Sequence, residues 1–254
     1  MECKICQSQA LLMKTLKIRG VYDAEYYLCR GCGFMFVGNP VWLAEAYQEP
    51  IADTDTGYVL RNVYLSRKTL VLFMFLFNIR ASFLDYAGGY GMLARLMRDY
   101  GLDFYTYDLH TPNLFMKGLE YKNQHIEALT CFECFEHFDL PINEIEKMLK
   151  ISKNIFFSTL LLPEEVPRDD WEYYGLKHGQ HISFYSFKTL LYIAKKYKLN
   201  LYSDGANLHL FTEKKIPNWF FKFILFLTKF QIDLLMRKTL RSKTIQDALY
   251  LREI

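Results

Sequence analysis

The sequence predicts an α/β fold, with a doubly wound and largely parallel sheet that ends in an antiparallel pair of strands. Three observations support this prediction. From residue 81 onward, short apolar runs alternate with helical stretches, as in a parallel sheet with crossover helices. The first of these runs leads into a glycine-rich loop, and two Cys-x-x-Cys pairs open the chain as a small separate unit. With 254 residues, of which 51% are hydrophobic, the chain can bury a sizeable core.

Residues 1–40 are predicted to fold around a metal ion. Two Cys-x-x-Cys pairs supply four candidate ligands, namely Cys3, Cys6, Cys29 and Cys32. Thiolates spaced in this way on tight turns can hold one tetrahedral zinc, and four of them leave no open position for water, so the zinc is expected to be structural. Disulfides would be disfavoured in a reducing cytoplasm. Between the pairs, 10–18 and 21–28 are predicted strands that turn at Arg19-Gly20, as in a zinc ribbon.

Residues 41–80 are predicted to form a helical linker or lid over a cofactor pocket, with a flexible stretch at 50–57 and a long helix at 58–78. The sheet domain is assigned to 81–215. Its predicted strands are 82–87, 104–108, 128–132, 154–160, 199–203 and 208–212, and its helices include 92–100 and 142–150. The last two strands flank Asp204-Gly205-Ala206-Asn207, which predicts a hairpin. A third strand is hard to find between Asp108 and Ala128.

The run Phe83-Leu84-Asp85-Tyr86-Ala87-Gly88-Gly89-Tyr90-Gly91 predicts an apolar strand that enters a glycine loop. Glycines let the backbone approach a ligand, and Asp108, at the end of the next strand, can accept hydrogen bonds from both hydroxyls of a ribose. Enzymes that use dinucleotides and enzymes that use S-adenosylmethionine share this arrangement. A nucleoside cofactor is therefore predicted to bind Asp85, Ala87, Gly88, Gly89, Gly91 and Asp108.

Other motifs favour the second class. Asp85, Gly89 and Gly91 match the first motif of the class I S-adenosylmethionine-dependent methyltransferases, which the chain resembles from Phe83 onward. Segment 130–138, Thr-Cys-Phe-Glu-Cys-Phe-Glu-His-Phe, resembles their fourth-strand motif. The resemblance implies a Rossmann-like sheet, S-adenosylmethionine as the methyl donor, and further cofactor contacts from Glu133 and Glu136.

A closer resemblance is to a bacterial subgroup that carries a zinc ribbon and is often associated with surface-polysaccharide assembly. Two segments carry it, Trp171-Glu172-Tyr173-Tyr174-Gly175 and Gly179-Gln180-His181-Ile182-Ser183-Phe184-Tyr185-Ser186. Together with the glycine loop, they extend the resemblance over nearly the whole chain. It implies a sugar nucleotide or glycan as the methyl acceptor.

Ala87 stands where the first motif has its first glycine. Only a positive φ would demand glycine there, so we expect Ala87 to keep a negative φ and Gly88 to absorb any strain.

Three histidines are candidates for the general base that a hydroxyl acceptor needs. His181 ranks first, because histidine accepts protons near neutral pH and because the matched subgroup places this segment at the active-site mouth. His178, three residues earlier, ranks second. Glu136-His137 follows the fourth strand, at the edge where such sheets bind ligands. The alternatives are that His181 only holds its loop and that Glu136 or His137 caps the next helix.

Trp171, Tyr173, Tyr174 and Gln180 are predicted to contact the substrate. Exposed aromatic side chains in a loop can stack on a sugar ring, although a lid packed on the protein's own core is an equally good interpretation. Cys131 and Cys134 also have the spacing of a metal-binding pair, but they follow a buried strand with no second pair nearby, so packing is expected.

Charge and composition leave the partner open. The net charge of +3 is too small to require a polyanion, which argues against nucleic acid. The start of the chain lacks a secretory-signal pattern, so we expect a cytoplasmic protein. In the tail, 216–254, the apolar stretch 216–230 is interrupted by lysines and is predicted to pack, to form oligomers or to touch a membrane surface.

The sequence thus favours methyl transfer to a sugar or glycan hydroxyl, or to a sugar carbon made acidic by a neighbouring carbonyl. One alternative is an RNA methyltransferase that uses the zinc ribbon as its reader. Another is a protein that binds the cofactor without catalysis.

Overall fold

The computed structural model describes residues 1–47 and 55–253 of the chain. Its strands are β1 Leu11–Ile18, β2 Tyr22–Leu28, β3 Met35–Val37, β4 Ser82–Tyr86, β5 Asp103–Tyr107, β6 Ala128–Cys131, β7 Ile155–Ser158, β8 Ser183–Phe184, β9 Asn200–Ser203 and β10 Leu208–Thr212. Its α-helices are α1 Leu43–Ala46, α2 Tyr58–Leu76, α3 Met92–Asp99, α4 Pro141–Ile151, α5 Phe187–Lys196, α6 Asn218–Leu227, α7 Ile232–Arg237 and α8 Thr244–Glu253. Short 3-10 turns cover Phe135–His137, Glu172–Tyr174 and Thr228–Phe230.

These strands form two sheets. Four strands pair antiparallel in the order β1-β2-β3-β8, and six strands pair in the order β5-β4-β6-β7-β10-β9. In the larger sheet β4 is parallel to β5 and β6, whereas β10 and β9 are antiparallel. The predicted α/β class with an antiparallel last pair of strands is confirmed.

The predicted elements of the larger sheet lie within a few residues of the observed ones. The predicted hairpin between β9 and β10 is present, and the carboxylate of Asp204 accepts three backbone N–H groups, those of Ala206, Asn207 and Leu208. The third strand, which the sequence does not show, is reduced to one bridge between Thr106 and Glu120. In the described residues the long helix begins at Tyr58, as predicted, whereas residues 50–54 of the predicted flexible stretch lie outside them.

Contacts between Cα atoms divide the chain into two compact units. Within the described residues, the first comprises 1–47, 133–147 and 157–213, and the second comprises 55–132, 148–156 and 214–253. The core of the second unit is a stack of rings in which Phe73 of α2 packs on Phe83, Phe104 and Phe156 at centroid distances of 4.9, 5.9 and 6.4 Å. Rings from α2 and from three strands of the larger sheet thus pack together around β4, the strand that leads into the glycine loop.

The core of the first unit lies on the four-stranded sheet. Tyr26, Trp42, Tyr174 and Phe184 are fully buried in one cluster there. The third strand of the cysteine-rich segment, β3, hydrogen-bonds to β8, with Met35 opposite Phe184. Residues 183–184 therefore complete the sheet that the first 37 residues begin.

Within the described ranges, no helix is both long enough and apolar enough to cross a bilayer.

Candidate cofactor loop, histidine cluster and cysteine site

The glycine loop of the second unit follows β4 and leads into α3. Ala87 has a φ of +55°, so the expectation of a negative φ is wrong and the strain lies on Ala87 itself. Gly88 does not take that strain; its role is steric. A Cβ at Gly88 would lie 2.5 Å from Oδ2 of Asp85 and 2.7 Å from Oγ1 of Thr106, so only glycine fits against these two side chains.

Gly89 and Gly91 both need the left-handed conformation. Their φ angles are +56° and +85°, and Gly91 is the residue from which α3 begins. A Cβ on Gly91 would lie 3.0 Å from Cγ of Met116, whereas a Cβ on Gly89 would meet only the hydroxyl of Tyr58, at 3.6 Å. The missing side chain of Gly89 thus leaves open space beside the loop, as close approach of a ligand to the backbone requires.

Two aspartates flank this loop. Asp85 is 3% exposed, and its Oδ1 accepts a hydrogen bond from Thr130 at 2.8 Å. Burial, and then the charge of Asp108, raises the pKa of Asp85 to about 7. Oδ2 of Asp108 accepts the N–H of Gly89 at 2.9 Å, so its carboxylate lies at the loop tip, where the ribose prediction requires it.

The other oxygen of Asp108 accepts the N–H groups of His110 and Thr111 at 2.8 and 2.7 Å. These bonds hold the carboxylate in place and use both lone pairs of Oδ1, whereas Oδ2, which accepts one N–H, keeps one lone pair for a ligand. The Asp108 and loop geometry fits the nucleoside of S-adenosylmethionine. The individual cofactor contacts remain predictions.

A histidine cluster lies in the first unit. The rings of His137 and His181 are 5.1 Å apart between centroids, and those of His178 and His181 are 4.8 Å apart. The turn that contains His137 is hydrogen-bonded to the residue before β8, because the N–H of Ile182 donates to the carbonyl of Glu136 at 2.9 Å. All three sequence candidates for the general base are therefore brought together.

The hydrogen bond of His181 fixes its tautomer. Nδ1 lies 2.7 Å from the carbonyl oxygen of Tyr173, which can only accept, so Nδ1 carries the proton and Nε2 keeps a free electron pair. Burial lowers the pKa of His181 to about 4, which keeps the ring neutral at physiological pH. A neutral imidazole with an unprotonated Nε2 can accept a proton, but a pKa of about 4 makes it a weaker base than the histidine of ordinary pKa that the sequence prediction assumes.

The other two histidines are neutral as well. Burial, followed by the neighbouring His181 and His178, lowers the pKa of His137 well below its usual value, and its Nδ1 lies 3.1 Å from the hydroxyl of Tyr47. Burial also lowers the pKa of His178, whose Nδ1 accepts the N–H of Gln180 at 3.1 Å. His178 thereby shapes its own loop.

Two glutamates that the sequence assigns to the cofactor lie near these rings. Glu136 is 1% exposed, and burial, together with the charge of Glu133, raises its pKa to about 8. The hydroxyl groups of Tyr173 and Thr159, which hydrogen-bond to each other at 3.2 Å, counteract part of this rise in the pKa of Glu136, and Oε2 of Glu136 has no hydrogen-bond partner among the described residues. One ligand atom each of Glu136, His137 and His181 lies within 4.8 Å of the others.

Glu133 has a strained backbone, with φ at +52° directly after β6. Its N–H donates to Oγ of Ser158, and the Ser158 hydroxyl donates to Oε1 of Glu133, both at 2.7 Å. Strain of this kind is often stored at functional sites. The Glu133 side chain thus accepts a hydrogen bond from Ser158, the last residue of β7.

The aromatic segment has mixed roles. Tyr174 is fully buried in the core of the first unit, and its hydroxyl donates to the carbonyl of Pro167, so it offers no face on which a sugar could stack. Gln180 is buried too and donates to the carbonyl of Ala46 at 2.7 Å. The observed contacts of these two residues are packing contacts and hydrogen bonds within the first unit, and their predicted substrate contacts remain predictions.

Trp171 and Tyr173 are half-buried. Both pack against the core cluster of the first unit, and the ring of Tyr173 also lies 4.8 Å from that of His181. Tyr173 is therefore the aromatic residue of this segment that belongs to the histidine cluster.

The four N-terminal cysteines come together in the first unit. Sγ of Cys3 lies 3.6 Å from that of Cys32, Sγ of Cys6 lies 3.4 Å from that of Cys29, and all four lie within 4.8 Å of one another. A tetrahedral zinc with 2.3 Å bonds would separate its sulfurs by about 3.8 Å. The thiols crowd so closely that a neighbouring thiol, Cys32, lowers the pKa of Cys3 to about 5. The donor set fits zinc.

Three polar residues of these sites have no signal in the sequence. Tyr47 contacts His137 from the end of α1, the hydroxyl of Thr159 lies 3.2 Å from that of Tyr173, and the hydroxyl of Tyr58 lies beside Gly89. Each comes from an element distant in sequence from its partner, and none belongs to a recognisable motif. Cys131 is buried, as the packing interpretation requires.

The comparisons with known proteins agree with this geometry. Residues 60–204 match the sequence model of a family described as a methyltransferase domain. No curated protein sequence matches the chain. Among solved structures, TnmH is similar, with 13% identity and a TM-score of 0.50, over 70% of this chain and 62% of TnmH. The chain thus matches about three-fifths of the length of TnmH.

Two other similar structures have lower TM-scores. The plantazolicin methyltransferase BpumL, in complex with SAH, has 13% identity and a TM-score of 0.44, over 66% of this chain and 94% of BpumL. The magnesium protoporphyrin IX methyltransferase of Synechocystis PCC 6803 has 8% identity and a TM-score of 0.45, over 67% and 92%. Because the family match spans more than half of the chain, this chain belongs to the family described as a methyltransferase domain.

Proposed function

We propose that this enzyme methylates a saccharide, at a hydroxyl group or at a carbon acidified by a neighbouring carbonyl, with His181 as the general base. The observation that carries the proposal is the hydrogen bond from Nδ1 of His181 to the carbonyl of Tyr173, at 2.7 Å, which leaves Nε2 unprotonated. His181 lies beside a second neutral histidine, His137, and a buried carboxyl group, that of Glu136. Proton removal at a protected site is what methylation of a hydroxyl requires.

S-adenosylmethionine, when bound, supplies a methyl group on a positively charged sulfur, which an oxygen or carbon nucleophile can attack. In the second unit, Asp108 and the loop around Gly89 would hold its nucleoside. In the first unit, Nε2 of His181 takes the proton of the acceptor O–H or C–H bond, and the electron pair of that bond stays on the acceptor atom. The Tyr173 carbonyl stabilises the resulting imidazolium through the Nδ1–H bond.

Glu136 has a second role in this proposal. With a pKa of about 8, its carboxyl group is mostly protonated near neutral pH. Oε2 has no partner in the described residues, and a buried polar atom without a partner costs free energy. A sugar hydroxyl beside the reacting one would supply that partner and orient the acceptor.

Charges around the cysteine site argue against the RNA alternative. Of the five basic residues in 1–40, only Arg30 is exposed without an ion pair among the described residues; Lys4, Lys14, Lys17 and Arg19 form ion pairs with Asp139, Asp169, Asp23 and Glu45, respectively, at 2.6 to 3.0 Å. An RNA reader needs cations available to phosphates. Zinc held by the four cysteines would instead stabilise the four-stranded sheet, whose strand β8 begins two residues after His181.

The test is transfer of labelled methyl from S-adenosylmethionine, by the purified protein, into a lysate of a strain that lacks it. The lysate is then separated into saccharide, RNA, protein and lipid. We expect label in saccharide, or in lipid-linked saccharide. Label in RNA would contradict this proposal and favour an RNA methyltransferase, and label in no fraction would favour a protein that binds the cofactor without catalysis.

A matched variant tests the role of His181. In His181→Asn the amide N–H can keep the bond to the Tyr173 carbonyl, but the base is removed. We expect S-adenosylmethionine binding to persist while turnover falls by about 100-fold or more. Turnover within a few-fold of wild type would remove His181 from the catalytic step.

A further inference from the structure

The outer face of α6 is apolar although it faces solvent. Its inner face is formed by Phe221, Ile224 and Leu225, which are buried in the second unit. On the opposite side, Trp219 and Phe226 are 65% and 46% exposed. A surface helix of a soluble protein usually carries polar residues on that side, so several exposed aromatic residues there indicate contact with another apolar phase.

The exposed aromatic side chains form one continuous strip, defined here as Trp219, Phe223, Phe226 and Phe230. The ring of Trp219 is 6.2 Å from that of Phe223, and Phe226 is 5.2 Å from Phe230 on the following 3-10 turn. The spacing of 219, 223, 226 and 230 is that of one helix face. Phe223 and Phe230 are 44% and 64% exposed, so the strip is accessible along its whole length in this chain.

The charge around this strip has one sign. Between residues 214 and 243 the chain has eight basic residues and one acidic residue, Asp233. Asp233 is buried and accepts hydrogen bonds from Arg67 at 2.9 Å and from Arg237 at 3.1 Å, so it does not offset the surface charge. Lys222 and Lys229 are exposed beside the strip, and Nζ of Lys229 lies 5.4 Å from the ring centre of Phe226.

We propose that this strip is a membrane-docking surface, on which α6 lies in the interface of an anionic bilayer. Aromatic rings would enter the boundary between headgroups and acyl chains, and Lys222 and Lys229 would contact lipid phosphates. A second copy of the chain is a poorer occupant, because its strip would bring the same excess of positive charge and repel the first. The helix lies on the surface and does not span the bilayer.

Vesicle flotation of the full-length protein tests this surface without any methyl acceptor, so its outcome is independent of the proposed sugar methylation. Phosphatidylcholine vesicles with and without phosphatidylglycerol are the probes. We expect binding to the anionic vesicles, weakened by salt, with a blue shift of Trp219 fluorescence. Equal absence of binding to both vesicle types would overturn the proposal.

Two pairs of variants separate the apolar and ionic contributions. Trp219→Ser/Phe226→Ser removes the centre of the strip, and Phe187→Ser, which changes a phenylalanine that is 50% exposed in the first unit, is its control. Lys222→Glu/Lys229→Glu reverses the charge, with Lys117→Glu/Lys177→Glu, at two other exposed lysines, as the control. At about 1 kcal/mol per basic residue, the charge change should weaken vesicle binding by roughly 30-fold or more, while the controls bind as wild type.

Equal losses in the test variants and their controls would contradict the proposal. Sedimentation velocity gives a further check. A dimer that disappears in Trp219→Ser/Phe226→Ser, together with no vesicle binding by wild type, would assign the strip to a second copy instead.

Discussion

Gly88 should be the least replaceable glycine of the cofactor loop, and Gly88→Ala measures why. The new Cβ would lie 2.5 Å from Oδ2 of Asp85 and 2.7 Å from Oγ1 of Thr106, both inside the distance that real Cβ contacts keep. Forced overpacking costs about 1–3 kcal/mol. The φ of Gly88 is not positive, so alanine can adopt its backbone conformation. By restricting the unfolded chain, the alanine should stabilise the folded protein by about 0.4–1 kcal/mol, which offsets part of this cost. We expect a net loss of roughly 1–2 kcal/mol in the free energy of unfolding.

The assay is urea unfolding, with S-adenosylmethionine affinity measured by calorimetry on the same samples. Gly57→Ala is the matched control, because a Cβ there would lie 3.9 Å from its nearest neighbours and its φ is −86°. It should leave the free energy of unfolding unchanged or slightly raised. Thr106→Ala should partly rescue Gly88→Ala, since it removes one of the two clashing atoms, an oxygen that is buried without a partner in the described residues. A Gly88→Ala protein as stable as wild type, or no coupling to Thr106, would refute this account of the loop.

Asp108→Ala should weaken S-adenosylmethionine binding by about 1.5–3 kcal/mol, through the loss of ribose hydrogen bonds; unchanged affinity in calorimetry would remove Asp108 from the site. The pKa of Asp85 is about 7 in the folded protein, above its ordinary value of 3.8, so the unfolded chain loses this proton at lower pH than the folded one. The contribution of Asp85 to the free energy of unfolding therefore falls as pH rises between about 4 and 7. Asp85→Asn should therefore flatten that part of the urea-midpoint profile against pH, and an unaltered profile would contradict the raised pKa. Elemental analysis should find one zinc per chain, lost in Cys6→Ser, and chelation should lower the stability of residues 1–40 before it affects the rest; a metal-free wild type with unchanged stability would exclude the structural zinc.

The sequence predicts the larger sheet well because its signals are local. The glycine loop sits directly between an apolar strand and a helix, and Asp108 follows the next strand, so each element carries its own pattern. The cysteine pairs are equally local, and the four thiols cluster as predicted.

Other features depend on partners far away in the chain. The positive φ of Ala87 is set by the packing around the loop, and alanine itself gives no sign of it. Tyr174 and Gln180 lie in a motif that suggests substrate contact, but their burial in the first unit depends on residues far away in the chain, and the motif gives no sign of it. Tyr47 reaches His137 across 90 residues, a contact that no local pattern can encode.

The pairing of β3 with β8 has a consequence for the order in which the protein is made. The cysteine pairs and the β1–β2 hairpin are complete once residue 32 has left the ribosome, and β3 can then pair with β2 along one edge, yet the partner of its other edge is only made at residues 183–184. Until then an apolar strand edge stays open, and such edges recruit other chains. Early zinc binding would stabilise the nascent hairpin through this interval, which makes metal supply during translation a determinant of the yield of folded enzyme.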